Sequence, residues 1–182
     1  MLWAVAYAAL VAALVVRFRS PDEPPPEPRR PAPGEPLFLT TAHHRLLVVV
    51  LVAAPIECAV LGGAAAGRWL GLAAFAAGIA LYRIGGRALG DALTPFTQPR
   101  AGAPLVTQGP YRYVRHPMYV GQMLVALGAP LVLVARLTLV PAVADVLLLG
   151  YRIAREEEAL ARTFPEYAGY AARTKRILPY IY

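Results

Sequence analysis

Apolar residues gather in five blocks along the chain, separated by polar stretches of very different character. The blocks cover residues 2–16, 46–61, 69–82, 118–135 and 137–151. Each is shorter than the roughly 20 residues that span a bilayer. Flanking Arg, Trp and Tyr extend such helices by reaching into the headgroups. The first block has no positive start and no small-residue cleavage site, so it reads as a retained helix and not a signal peptide. Pro55 and Glu57 interrupt the second. The fourth and fifth are joined only around Arg136, which predicts a tight helical hairpin. Residues 17–45 form the first loop, with eight prolines and four acids between positions 20 and 36. That composition favours polyproline-type extended chain over a packed core. Residues 151–182 are polar, with apolar positions at Ile153, Leu160 and Phe164, and predict one or two cytoplasmic helices. The pattern predicts one all-α integral membrane domain over 1–182. It has five transmembrane helices, a C-terminal helical hairpin and cytoplasmic C-terminal helices.

Composition strengthens the membrane reading. The chain is 58% hydrophobic and 16% charged, with a mean hydropathy of +0.49, whereas soluble domains carry about 25% charged residues. One cysteine, Cys58, excludes an internal disulfide framework and a cysteine-rich zinc site. Cys58 itself is expected to be a buried small apolar residue.

The net charge is +7. The basic residues fall in the first loop, in the stretch between the third and fourth blocks, and in the tail. Only Arg68 and Arg136 remain for the other side. This bias puts the N-terminus outside and the loops and tail in the cytoplasm. Topology and attraction to anionic lipid explain the charge without nucleic acid, and no protein partner is implied.

Two clusters carry candidate chemistry. The stretch 105–119 is rich in polar and aromatic groups just before a membrane helix. Gly109-Pro110 signals a turn, and Pro117 suits a first helical turn. Arg115 and His116 then sit at a helix N-terminus, which favours an anion such as a carboxylate. A plain Arg-Tyr belt at the membrane surface explains the same residues equally well. The second cluster is Arg152, Arg155 and Glu156-Glu157-Glu158, just after the fifth block. Arg152 and Glu156 share a helix face. Alone, this run reads more simply as a solvated face. Together, the two clusters flank one hairpin on one side of the membrane. A pocket between them has a polar mouth and an apolar depth, suited to a water-soluble cofactor and a lipid-like substrate.

The run Gly109-Pro-Tyr-Arg-Tyr-Val-Arg-His-Pro-Met-Tyr119-Val-Gly121, followed by Glu156-Glu157, Phe164-Pro-Glu-Tyr167 and Tyr170, resembles the isoprenylcysteine carboxyl methyltransferase family, related to the phospholipid N-methyltransferases. Residues 173–179 resemble its ending, and the resemblance covers about 104–179. It implies a membrane enzyme using S-adenosyl-L-methionine, with 104–179 as the cofactor-binding catalytic region. The positions matching the family's cofactor site are Ala103, Pro104, Leu105, Val106, Tyr111, His116, Pro117, Met118, Tyr119 and Glu156, with Glu157 beside them. Gln98 matches a further cofactor-binding Gln at a different spacing. Arg152 matches the family's candidate for holding the substrate's reacting group. The chain departs from the family in carrying Phe164-Pro165 where Phe-Gly is common, and in having Ala103 and Pro104 in place of polar residues.

The remaining polar residues carry plainer expectations. Glu57 and Asp145 lie inside apolar blocks, where acids are expensive and often functional; structural roles are expected for both, with Asp145 bonding a neighbouring helix. The adjacent His43 and His44 point to different helix faces, so interfacial anchoring is expected and not a metal pair. Gly62-Gly63 and Gly85-Gly86 fit turns or close helix packing.

The leading expectation is methyl transfer to a lipid-like or prenylated small-molecule acceptor at the cytoplasmic membrane face, with a prenylcysteine carboxylate first. A phospholipid amine or small thiol is the alternative. A nicotinamide-dependent membrane reductase and a non-catalytic lipid-binding protein are the further ones.

Overall fold

The computed structural model describes residues 2–15, 37–61 and 67–177. Their main elements are six α-helices: α1 Leu2–Val15, α2 Leu37–Leu61, α3 Arg68–Leu89, α4 Pro117–Leu133, α5 Leu139–Thr163 and α6 Tyr167–Arg173. Short 3-10 turns cover Gly90–Ala92 and Gly109–Arg112. Among the described residues there is no strand, only an isolated bridge between Val114 and Lys175.

Each of the five apolar blocks is a helix, but three boundaries move. Helix α2 begins at Leu37 and runs unbroken through Pro55 and Glu57, so the loop expected to reach residue 45 ends earlier. A proline removes one backbone bond and is tolerated where neighbouring helices pack around it. The Pro-rich segment 20–36 and Gly62-Gly63 lie outside the described residues. Helix α3 continues to Leu89. Helix α5 does not stop at residue 151. It continues to Thr163, so the cluster 152–158 and the first expected cytoplasmic helix belong to the second arm of the hairpin.

Thr41–Leu61 and Arg68–Ala92 are long and apolar enough to cross a membrane, while Leu2–Val15 and Pro117–Leu133 are apolar but shorter. The expectation of five full spans is therefore met by length and composition for two. Val48, Val52, Ile56 and Val60 on α2 are exposed, as are Val140, Val143 and Leu147 on α5. Contiguous apolar stripes of this kind suit hydrocarbon and not water.

Small residues bring α3 and α4 together, the most extensively packed pair of helices. A Cβ added at Gly78 would lie 2.6 Å from the Gly121 carbonyl oxygen, and one at Gly121 would lie 2.7 Å from that of Gly78. Gly128 approaches the Phe75 backbone in the same way, and Gly85 approaches Met118. Only glycine allows backbones this close. Around this seam the core contains Phe75, Val125, Ala129 and Val132, joined by Val50, Ala54 and Tyr7 from α2 and α1.

The two expensive acids have structural partners. Glu57 accepts hydrogen bonds of 2.8 Å from the amides of Leu137 and Thr138 and from the Thr138 hydroxyl. It therefore caps the start of α5 from another helix. Asp145 is fully buried and meets His43 Nδ1 at 2.8 Å. The bond to a neighbouring helix matches expectation. His43 does not: it is 2% exposed, held in the core and not at an interface. Arg68 stacks over Trp3, which packs edge-on against Trp69, so the far end of the bundle has an aromatic and basic belt.

Gly78→Val is expected to abolish the folded detergent-solubilised protein, because the clash is with backbone. Gly150→Ala, where nothing lies within 4 Å of the added atom, is expected to raise stability by about 0.5–1 kcal/mol. Glu57→Leu is expected to lower stability by about 1–2 kcal/mol through loss of the cap. Thermal unfolding in detergent reads both magnitudes.

Candidate functional site

The site is built where α5 leaves the apolar bundle. Its buried face carries Ala142, Asp145, Leu149, Arg152, Ile153 and Ala159, at helical spacing along one side. The polar residues 152–158 are therefore rigidly attached to the core helix. Opposite them, α4 starts at Pro117, with His116 as the flanking residue. The chain before it is pinned by the tail. The Arg115 amide donates to the Lys175 carbonyl at 2.8 Å and the His116 amide to that of Arg176 at 3.2 Å. The Tyr170 hydroxyl donates to the Tyr111 carbonyl at 2.7 Å.

Glu157 is the hub of this layer. One carboxylate oxygen accepts from Arg115 Nε at 2.7 Å and meets His116 Nε2 at 3.2 Å; the other meets Arg176 at 2.6 Å. Arg115 also donates to the carbonyls of Ala171 and Thr174. Burial alone would raise the Glu157 pKa, but bonds from His116, Arg115 and Arg176 outweigh it and hold the group well below the usual carboxylate range.

Glu156, the residue before it, has different surroundings. Its side chain is 26% exposed, and one oxygen accepts from the Tyr119 hydroxyl at 2.6 Å. Arg152 Nε donates to the same hydroxyl at 3.3 Å, and another Arg152 nitrogen donates to the Pro95 carbonyl at 2.7 Å. The guanidinium lies 5.9 Å from the Tyr119 ring centroid and is 4% exposed. Pro95, Arg152, Tyr119 and Glu156 thus form a polar chain running from the 93–108 loop across two helices. It offers a reachable carboxylate beside a buried, oriented guanidinium. Glu158 points elsewhere and pairs with Arg155.

The structure brings Arg152, Tyr119, Glu156, His116 and Glu157 into one cluster. Pro117 and Met118 form the first turn of α4 beneath it, with Met118 against Gly85 and Gly86. Tyr111 is buried beside the tail, and burial together with the charge of Glu156 raises its pKa. Ala103, Pro104, Leu105 and Val106 lie in irregular chain, with Pro104 exposed and the others half-buried. Gln98 is half-buried in the same loop. His116 is 3% exposed and its ring faces Glu157, so it and Glu157 lie in the layer that joins tail to hairpin. Two members of that architecture are absent from the sequence prediction: Pro95, which binds through its backbone carbonyl, and Arg176, whose one signal is its place in a basic tail.

A family model described as the isoprenylcysteine carboxyl methyltransferase (ICMT) family matches residues 69–162, more than half of the 182-residue chain. The chain belongs to this family. The ICMT match spans α3, α4 and nearly all of α5, the helices that carry the cluster. Two curated proteins are also similar. The cobalt-zinc-cadmium resistance protein CzcN of Cupriavidus metallidurans is 44% identical over 77 residues, covering 41% of this chain and 35% of that protein. The nickel-cobalt-cadmium resistance protein NccN of Alcaligenes xylosoxydans xylosoxydans is 39% identical over 82 residues, covering 44% of this chain and 38% of the relative. The matched stretch is thus little more than a third of these relatives' length. The family is named for a carboxyl methyltransferase.

The depressed Glu157 pKa has a definite sign for stability. Its contribution is present above the ordinary carboxylate value of 4.5 and is lost as pH falls through the lower folded value. Glu157→Gln is therefore expected to lower stability at neutral pH by about 2 kcal/mol. The variant should also lose part of the wild-type decline seen on acidification below about pH 4.5. Unfolding in detergent across that pH range measures both.

Proposed function

We propose that the protein transfers a methyl group from S-adenosyl-L-methionine to the carboxylate of an amphipathic, lipid-like acceptor at the cytoplasmic face of the membrane. The observation that carries this reading is Arg152, a buried guanidinium oriented by Tyr119 and Pro95 beside the partly exposed Glu156. The donor set suits the cofactor: Glu156 is an accessible acceptor for hydroxyl or ammonium groups, and irregular chain over 103–106 leaves backbone groups unpaired by any helix. When bound, the cofactor supplies a methyl on a sulfonium whose leaving group is a neutral thioether. The methyl passes to a carboxylate oxygen, and the electron pair of the broken bond stays on sulfur. Arg152 holds the acceptor carboxylate and fixes its line of attack. An ionised carboxylate needs no base.

That last point favours a carboxylate over an amine or thiol. Either of those must lose a proton, and the local histidine, His116, is buried against Glu157. The acids at the mouth weigh against a nicotinamide dinucleotide, whose phosphates call for cations. The names of the relatives concern resistance to cobalt, zinc, cadmium and nickel. Esterification turns a carboxylate from a cation ligand into a neutral group, so a carboxylate acceptor is compatible with that setting.

Calorimetric titration of the detergent-purified protein is expected to show binding of S-adenosylhomocysteine and none of NADPH. Absence of heat with the first would overturn the reading. Glu156→Ala is expected to weaken that binding by tenfold or more. Arg152→Ala is expected to leave it within a few-fold while reducing methyl transfer in an acceptor screen with labelled cofactor by on the order of a hundredfold.

A further inference from the structure

The polar end of the bundle holds more cations than its own acids engage. Asp91 lies 3.8 Å from Arg100, Glu157 is held by Arg115 and Arg176, and Glu158 pairs with Arg155. Glu156 accepts from Tyr119, and Glu166 is exposed at the start of α6. The exposed side chains of Arg87, Arg112, Arg162 and Lys175 have no carboxylate partner among the described residues.

Arg87, Arg112 and Lys175 meet at one corner. The turn Gly109–Arg112 packs against the end of α3. A Cβ added at Gly109 would lie 3.5 Å from the side chain of Ala88, the residue after Arg87. On the other side the tail pairs with the same stretch. The Lys175 amide donates to the Tyr113 carbonyl at 3.4 Å, and the Arg115 amide donates to the Lys175 carbonyl at 2.8 Å. Arg112 and Tyr113 therefore lie between Arg87 and Lys175. The Arg112 guanidinium is 5.0 Å from the Tyr113 ring centroid, and Tyr113 is 55% exposed.

The corner also has an apolar side. Ile84 is 51% exposed and shares a face of α3 with Arg87, three residues on. Both belong to the stretch Arg68–Ala92 that is long and apolar enough to cross a membrane. An exposed aliphatic side chain one turn from an exposed cation marks the boundary of hydrocarbon and headgroup on that face. A water-soluble anion would leave Ile84 and Tyr113 facing water. An anionic lipid meets all of these groups at once, with phosphate on the cations, headgroup against the Tyr113 ring and hydrocarbon along Ile84.

We propose that this corner is a binding site for an anionic phospholipid, with the phosphate held by Arg87, Arg112 and Lys175 and the acyl chains beside Ile84. General attraction of a basic face for anionic lipid is shared by every exposed cation, Arg162 included. The corner differs in gathering three cations, an aromatic ring and an aliphatic seat in one place. The lipid then lies against the chain that carries Arg115 to Glu157. The site is independent of the methyltransferase reading.

The test is native mass spectrometry of the full-length protein released from detergent, titrated with dioleoylphosphatidylglycerol or dioleoylphosphatidylcholine. The first phosphatidylglycerol bound is expected to have an affinity about tenfold or more above the first phosphatidylcholine. Arg87→Gln and Arg112→Gln are each expected to weaken that first event by about three- to fivefold, the share of one cation near a headgroup. Arg112→Lys, which keeps the charge, is expected to restore most of the affinity. Arg162→Gln removes an exposed cation of α5 at the same end and is expected to change nothing. Glycerol 3-phosphate, the headgroup without chains, is expected not to displace the lipid at equal concentration. Equal affinity for the two lipids, a loss in Arg162→Gln as large as that in Arg112→Gln, or displacement by glycerol 3-phosphate would each overturn the proposal. The second outcome would leave attraction by net charge alone, and the third a site for a soluble phosphate.

Discussion

A buried carboxylate must be paired, and the pairing of Glu157 organises the polar half of the molecule. Its partners come from two distant stretches: Arg115 and His116 from the chain entering α4, and Arg176 from the tail. Removing any one leaves charge stranded in a poorly hydrated place, where uncompensated ions are most destabilising. Because α5 is continuous, Glu157 is fixed relative to the bundle by the buried face that includes Arg152, Ile153 and Ala159. The ion cluster therefore holds the loop, the tail and the hairpin in one arrangement. Glu156 touches this cluster only at its edge, 4.0 Å from His116 Nδ1. It precedes Glu157 by one residue of the helix, about 100° around the axis, and turns to Tyr119 and a more open environment.

The membrane half supplies the complementary constraint. Reciprocal approach of Gly78 and Gly121, with Gly128 against Phe75, fixes the register of α3 against α4. That register sets Tyr82 of α3 opposite the Gln122 turn of α4. The Glu57 cap then fixes where the other end of the hairpin turns. Polar groups are thereby lined up along α5 from Asp145 to Glu156, while the outward faces of α2 and α5 stay apolar. The polar interior and greasy exterior follow from which residues the glycine seam allows to meet.

Much of this was legible in the sequence where one local rule dominates. The apolar blocks became helices, Pro117 opened α4, and the turn around Arg136 closed the hairpin. Boundaries failed where two rules compete. The charges at 152–158 mark an end to a membrane span but not to a helix, so α5 was cut short. Proximity to a Pro-rich stretch hid the start of α2, and Pro55 looked like a break where tertiary packing carries the helix through it. Long-range pairing left no local signal. His43 and Asp145 are 102 residues apart, and nothing in the His43-His44 dipeptide says which ring turns inward. Glu156 and Glu157 are chemically identical neighbours, and only the positions of Arg115, His116 and Arg176 divide their roles.

The family match over residues 69–162 covers α3, α4 and almost all of α5, and so includes Tyr119, Gln122, Asp145, Arg152 and Glu156. It does not reach α1 and α2, which bring Leu14, Leu47, His43 and His44 to a small cavity against Tyr82 and Gln122. Glu57 of α2 caps α5, and His43 of the same helix pairs with Asp145, so α2 is bound to the hairpin at both ends of its length. The hairpin that carries the cluster is thus held in place by a helix that the family match leaves out.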